Sequence, residues 1–333
     1  MSFQNFNLTL FDMSNKIRIG ILGCADIANR LVIPNMIQTG KFDIIAVASR
    51  SMEKATEFSR KFDCEPIEGY ENLVSRKDID AIYIPLPTGM HYEWIINSLN
   101  AGKHVLCEKS LAIDINETLS IIDLAREKEL CVFENFMFVF HSQFDFIRQQ
   151  IEQDTIGDIR LLRSSFGFPP FNIDSNIRYK KALGGGALLD AGAYTTMAVH
   201  FLLGQKQEVL SSSLENGNQE VDFQGSATFK SEKGIISQVA FGFDNFYQNN
   251  IELWGSKGKM TIERAFTAGP GFTPKVIIET QNNKTEVTLP ADNHFQKLLK
   301  KFAECIVTNQ YDFLFEQIIC QSSLLTQIKR LAS

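Results

Sequence analysis

Short apolar runs alternate with stretches of helical spacing through the first 135 residues. Residues 16–22 (KIRIGIL) are rich in β-branched side chains and end at Gly23. Residues 27–39 follow with helical spacing around Pro34. Residues 44–48 (IIAVA), 81–84, 104–107 and 131–133 are further strand-like runs, and Pro85 and Pro87 stop the second of these. Residues 52–62, 92–101 and 116–129 read as helices, with Gly102 closing the middle one. Strands alternating with helices of about ten residues predict parallel βαβ units in a doubly wound sheet. Such strands are apolar throughout because helices cover both faces.

After Asn135 the rhythm changes. Helical spacing covers residues 144–153, an extended run 159–166, and a loop 168–176. Gly184, Gly185 and Gly186 open another helix. From residue 220 to 288 the pattern has period two, broken by Gly and Asn, which predicts a largely antiparallel sheet. Two helices, 294–308 and 315–331, end the chain. The fold class is α/β. A dinucleotide-binding domain of residues 1–138 precedes a second α/β domain of residues 139–333 built on a large, mostly antiparallel sheet. No Gly/Ser tract separates them, so the boundary is a joint near residues 134–142 and not a tether.

Composition narrows the functional classes. The 333 residues are 44% hydrophobic and 22% charged with a net charge of -6. A basic excess, the signature of nucleic-acid binding, is missing. No apolar run reaches the ~18 residues of a membrane span. Residues 1–16 carry neither a basic n-region nor an apolar h-region, so a cytoplasmic protein with a short leader is expected. The six cysteines, at 24, 64, 107, 131, 305 and 320, form no C-x-x-C pair. They read as reduced, partly buried thiols, and no metal site is expected.

The turn after the first strand carries the first candidate chemistry. Gly20-Ile-Leu-Gly23-Cys24-Ala25-Asp26-Ile27-Ala28 leads from strand to helix. A dinucleotide site needs small residues there, so that the backbone and helix start approach a pyrophosphate. Gly23, Ala25 and Ala28 keep the spacing, with Ala25 in place of the middle glycine. At the end of the second strand an NAD site usually has an acid for the ribose hydroxyls. Here Ser49-Arg50 stands instead, and Asp43 precedes the strand, at the wrong end of the sheet. Arg50 suits a 2′-phosphate. The cofactor expected is therefore NADP, with NAD as the alternative, and a solvated helix-flanking charge is the plain alternative for Arg50.

Gly102-Lys-His-Val-Leu-Cys-Glu108-Lys109 resembles the strand of the glucose-fructose oxidoreductase / inositol dehydrogenase (Gfo/Idh/MocA) family, which ends in Glu-Lys-Pro. Leu86-Pro-Thr-Gly-Met-His91, Glu134-Asn-Phe-Met-Phe-Val-Phe-His141, Gly184-Gly-Gly-Ala-Leu-Leu-Asp190-Ala-Gly-Ala-Tyr194 and Asn250-Ile-Glu-Leu-Trp-Gly255 are similar to further segments of that family, in order. The resemblance covers nearly the whole chain from Lys16. It implies a Rossmann domain and an open-sheet domain that often forms a dimer interface, hence a homodimer or homotetramer. It also implies cofactor contacts with the backbone around Gly20, Gly23, Cys24, Ala25, Asp26 and Ile27, and with Ser49, Arg50, Tyr70, Leu86, His91, Glu108, Arg178 and Asp190. The plain alternatives are a turn aromatic for Tyr70, a helix-cap neighbour for His91 and a loop charge for Arg178. Two positions depart from the family: Ser110 and Ser142 replace prolines. A trans Lys109–Ser110 peptide is expected, since cis without proline costs about 2.5–4 kcal/mol.

The activity implied is hydride transfer between a nicotinamide and a sugar-like carbonyl or alcohol. Phe166-Gly-Phe-Pro-Pro-Phe-Asn-Ile-Asp-Ser-Asn-Ile-Arg-Tyr179 looks most like the members that reduce nucleotide-linked keto-sugars. The rivals are a free-sugar or dihydrodiol dehydrogenase and a non-catalytic cofactor-sensing regulator. Lys109, after the fourth predicted strand, is the candidate proton donor. Asp190 and Tyr194, four apart on a helix, share a face. Tyr194 is assigned as second donor or relay, and Asp190 as the group orienting Lys109 or the substrate. Phe166, Phe168, Phe171, Phe246 and Tyr247 are candidates for the substrate mouth, with core packing as the alternative for the phenylalanines.

Overall fold

The computed structural model describes residues 16–332. The expected leader lies outside the described residues. Six parallel strands form the first sheet: β1 (Ile17–Leu22), β2 (Phe42–Ser49), β3 (Glu65–Glu68), β4 (Ala81–Ile84), β5 (His104–Cys107) and β6 (Val132–Glu134), in the order β3-β2-β1-β4-β5-β6. This doubly wound order puts a ligand crevice at the carboxyl ends of β1 and β4, where it reverses. The helices α1 (Ile33–Thr39), α2 (Met52–Phe62), α3 (Tyr70–Val74), α4 (His91–Asn100) and α5 (Ile115–Lys128) connect the strands, and a π-helical turn, Ala28–Val32, leads into α1. Ile19, Ile21, Ile82, Ile84, Val105 and Leu106 are fully buried between these layers. Asp43 lies inside β2 and not ahead of it. It pairs with Lys16 at 2.7 Å, at the end of the sheet away from the crevice.

The second sheet has eight strands: β7 (Ile159–Gly167), β8 (Gln207–Glu215), β9 (Gln224–Ser231), β10 (Ile236–Gly242), β11 (Gln248–Gly255), β12 (Gly258–Glu263), β13 (Lys275–Thr280) and β14 (Asn283–Thr288). Their order is β14-β13-β12-β11-β7-β10-β9-β8, antiparallel except between β7 and β10. Of the helices α6 (Ser142–Glu152) and α7 (Ala193–Leu203), α7 packs against β7 and β10. On the opposite face Trp254 remains 53% exposed beside Arg163. The last helices, α8 (His294–Thr308) and α9 (Asp312–Leu331), return to the first sheet. Phe302 of α8 packs against Phe42 and Phe133, and Thr118 of α5 donates to Ser322 of α9 at 2.8 Å. No helix among the described residues is long and apolar enough to cross a membrane.

The two proline-replacing serines behave differently. The Lys109–Ser110 peptide is cis, against the expectation of trans. The buried Ser110 has both polar groups engaged, its hydroxyl with the Leu189 carbonyl and its carbonyl with His91, and these partners select the conformation. Ser142 donates its N–H to Asp292 Oδ2 at 2.8 Å, a bond proline lacks the hydrogen to make.

Candidate active site

A cleft of about 710 Å³ opens at the carboxyl ends of β1, β2, β4 and β5 and is closed by the segment from Ile177 to Tyr194. Gly23, Cys24, Ala25, Asp26 and Ile27 line its floor. Gly23 has φ +122°, and a Cβ there would come 2.8 Å from Leu86 Cδ2 on the opposite wall. Across the rim, a Cβ on Gly89 would lie 2.8 Å from the nitrogen of Gly184, so two glycines let the loops meet backbone to backbone. Gly20 is placed differently from the expectation. It lies within β1, where a Cβ would meet Ile79, Ile82 and Leu73 in the core, and it does not line the cleft.

Ser49, Arg50 and Ser51 line the cleft at the end of β2. Ser51 caps α2, accepting from the N–H of Lys54 at 3.3 Å, and Lys54 also lines the cleft. Lys54 is not among the residues expected from sequence, although a serine cap followed three residues later by a lysine marks a cation in the first helical turn after β2. Asp26 is held by Arg30 at 2.6 Å. Tyr70 also faces the cleft. Burial raises its phenol, and the Arg50 charge works against that rise.

Leu86 lines the cleft but His91 does not. The His91 ring is fully buried, with Nδ1 2.8 Å from the Ser110 carbonyl and Nε2 2.8 Å from the Leu86 carbonyl. It braces the walls from behind. Glu108 does face the cleft. Its Oε1 accepts from the Tyr83 hydroxyl and from Asn135 Nδ2, each at 2.6 Å. Burial raises its carboxyl, and these two donors work against the rise.

Lys109, Asp190 and Tyr194 come together at the inner end of the cleft. Asp190 lies in a π-helical turn, Leu188–Gly192, and Tyr194 in the first turn of α7. Lys109 Nζ pairs with Asp190 Oδ1, donates to the Asp190 carbonyl at 3.1 Å, and sits 4.7 Å from the centre of the Tyr194 ring. Arg178 Nε donates to the other Asp190 oxygen at 2.5 Å. Burial alone would raise the Asp190 carboxyl, but Lys109 and Arg178 override it and hold it at about 2. Tyr194 is pushed well above the ordinary phenol range by burial and then by the charges of Asp190 and Glu108. Phe136, Phe138, Phe166 and Phe266 enclose its ring at centroid distances of 5.9, 5.5, 5.1 and 5.7 Å.

The aromatic candidates for the substrate mouth divide. Phe166 is buried against Tyr194, and Phe168 stacks on Phe243. Phe171 lies under the Arg178 guanidinium at 4.6 Å. Phe246 is 87% exposed on a separate groove. Tyr247 is not among the cleft residues. Its hydroxyl lies 3.1 Å from Thr267 Oγ1 and accepts from Asn249 Nδ2 at 2.9 Å. Among the described residues no cluster of three or more His, Cys, Asp or Glu side chains is placed to hold a metal ion.

Residues 17–136 match the model of an oxidoreductase family with an NAD-binding Rossmann fold, and residues 144–261 match the GFO/IDH/MocA C-terminal domain. A dTDP-3,4-didehydro-2,6-dideoxy-alpha-D-glucose 3-reductase from Saccharopolyspora spinosa is 41% identical over 295 residues, 88% of this chain and 89% of that protein. The reductase of the same name from Actinomadura kijaniata is 37% identical over 318 residues, 95% and 96% of the two chains. A solved structure of a 3-ketoreductase from Actinomadura kijaniata, in complex with NADP and TDP-benzene, aligns with a TM-score of 0.93 at 37% identity, covering 95% of this chain and 98% of that one.

Proposed function

Because the chain belongs to the GFO/IDH/MocA oxidoreductase family, we propose that it is an NADP-dependent reductase of a nucleotide-linked keto-sugar. The observation carrying this reading is the meeting of Lys109, Asp190 and Tyr194 at the inner end of the cleft whose outer end Ser49, Arg50 and Lys54 line. The residues fit the cofactor. The floor is small-sided, and no carboxylate stands at the end of β2 to hold ribose hydroxyls. Arg50 and Lys54 form no ion pair with an acid among the described residues. When bound, NADPH supplies a hydride to the sugar carbonyl carbon. The chain supplies the rest. Lys109 holds the developing alkoxide and donates the proton to its oxygen. Asp190 orients the Lys109 ammonium, and Tyr194 is the second donor or relay. In this reading residues 1–138 form the cofactor domain and residues 139–333 the substrate domain.

Arg50→Ala is expected to weaken NADPH binding about ten- to a hundredfold, the ~1.5–3 kcal/mol of a charge-assisted pair, with NADH binding within about twofold. Fluorescence titration of both cofactors reads this out. Equal losses for the two remove Arg50 from the 2′-phosphate.

The substrate is tested with a panel in which NADPH oxidation is followed with dTDP-3,4-didehydro-2,6-dideoxy-alpha-D-glucose, and the reverse reaction with glucose, xylose, inositol and a trans-dihydrodiol. Faster turnover of the nucleotide-linked keto-sugar is expected. Faster turnover of a free sugar or diol makes the chain a dehydrogenase of that compound, and NADPH binding without any turnover makes it a sensor. The chain is further read as a cytoplasmic homodimer or homotetramer without nucleic-acid or membrane partners. Its support is the uncovered face of the second sheet around Trp254; a one-chain mass by light scattering would remove it.

A further inference from the structure

The residue after Lys109 is bound on both sides. Ser110 is 2% exposed, and its hydroxyl donates to the Leu189 carbonyl at 2.9 Å. Its own carbonyl lies 2.8 Å from His91 Nδ1, and the same ring reaches the Leu86 carbonyl with Nε2. Lys109 meanwhile contacts the carboxylate and the carbonyl of Asp190. Two consecutive residues of the loop after β5 thus meet two consecutive residues of the turn before α7, Lys109 with Asp190 and Ser110 with Leu189. A slide of the loop along the turn bears on both contacts at once.

The two contacts differ in what they fix. Lys109 reaches Asp190 on a flexible four-carbon stem, so the ion pair survives small shifts of either backbone. Arg178 pulls on the same carboxylate from its other oxygen. The Ser110 bond has one side-chain torsion, is neutral and directional, and ends on a main-chain carbonyl. It therefore sets the separation of the two backbones, where the ion pair follows it. His91 extends the link to Leu86, on the wall of the cleft that Gly23 approaches.

We propose that Ser110 is a positioning residue for the reduction: its hydroxyl locks the Lys109 loop to the Leu189–Asp190 turn, so that the ammonium and the carboxylate meet in one alignment. This rests on the roles given above to Lys109 and Asp190. Ser110→Ala removes a single oxygen from a packed position. Activity is measured on the full chain with NADPH and dTDP-3,4-didehydro-2,6-dideoxy-alpha-D-glucose. In the wild-type background the substitution is expected to lower kcat about tenfold, the size of one buried hydrogen bond, with both KM values within about twofold. In an Asp190→Asn background the same change is expected to cost less than about twofold, because the alignment it serves is already gone. Ser110→Cys, which keeps a weak donor, is expected to recover part of the rate, and it takes the place of the alanine variant in the cycle should that variant not fold. Equal losses in the two backgrounds overturn the proposal. So does an unchanged kcat, or a loss of thermal stability with the rate intact. Failure of the underlying roles shows separately, as a normal kcat in Asp190→Asn alone.

Discussion

Lys109→Ala is expected to lower kcat by on the order of 10²–10⁴ while affinity for NADPH stays within a few fold. Reducing a carbonyl places negative charge on its oxygen, and in the proposed roles the Lys109 ammonium both stabilises and protonates that oxygen. Its position is defined by Asp190 below and the Tyr194 ring beside it. The outer end of the cleft, where Ser49, Arg50 and Lys54 stand, is untouched by the change, which is why binding should survive. Tyr194→Phe is expected to cost less. The Tyr194 phenol is buried beside the charges of Asp190 and Glu108 and gives up its proton reluctantly. A phenylalanine also keeps the ring face against which Lys109 sits. Stopped-flow reduction on the keto-sugar, with cofactor titration in parallel, separates these effects. A near-normal kcat for Lys109→Ala moves proton donation to Tyr194 or to water.

Positional pattern revealed the elements whose burial repeats regularly along the chain: the wholly apolar parallel strands, the amphipathic helices and the period-two strands of the second sheet. β5 falls where its apolar run puts it, because parallel strands between two helical layers are apolar along their whole length, and α2 falls where its helical spacing puts it, with Ala55 and Ser59 on the buried face. β3 was missed: it is the polar edge strand EPIE, whose Pro66 reads against a strand. α3, five residues long, is too short for periodicity to register, and β8 is a serine-rich edge. Candidate site residues at strand ends reached the cleft because topology alone puts those ends there, as with Ser49, Arg50, Glu108 and Lys109. Side-chain direction was not legible. Gly20 and His91 lie within or beside the same motifs yet turn into the core, where packing and the carbonyls of Leu86 and Ser110 claim them. Tyr247, two residues before Asn249, is taken up by the Thr267 network.

Acid is expected to destabilise the protein as pH falls below about 6.5, and the histidines open that window. All five are held below the ordinary imidazole value of 6.5, in each case first by burial: His104 and His200 at about 4, His294 at about 3, His91 and His141 in the same direction. Below 6.5 the unfolded chain takes up protons that the folded chain refuses, so the stability these groups permit is complete above 6.5 and lost as pH falls toward the folded values. At pH 5, His104, His200 and His294 each remove about 2 kcal/mol, or roughly 6 together. Glu134 opposes them, as do Glu108, Glu117 and Asp222, whose carboxyls burial also raises. Burial lifts the Glu134 carboxyl from 4.5 to about 8, so its contribution is fullest below 4.5 and fades as pH rises through 8. Between pH 7 and 5 it returns about 3 kcal/mol. From His104, His200, His294 and Glu134 alone the loss at pH 5 is about 3 kcal/mol, beside an ordinary domain's 5–15 kcal/mol, and it deepens by pH 4, where Glu134 adds little more. Urea midpoints at pH 7, 6 and 5 should fall in that order. Glu134→Gln should stabilise the chain at pH 7 by up to about 3 kcal/mol and make the fall steeper, since its amide accepts from the Leu111 N–H as the carboxyl does but does not titrate. A midpoint that stays level from pH 7 to pH 5 in both proteins would mean that the buried imidazoles are protonated in the folded state.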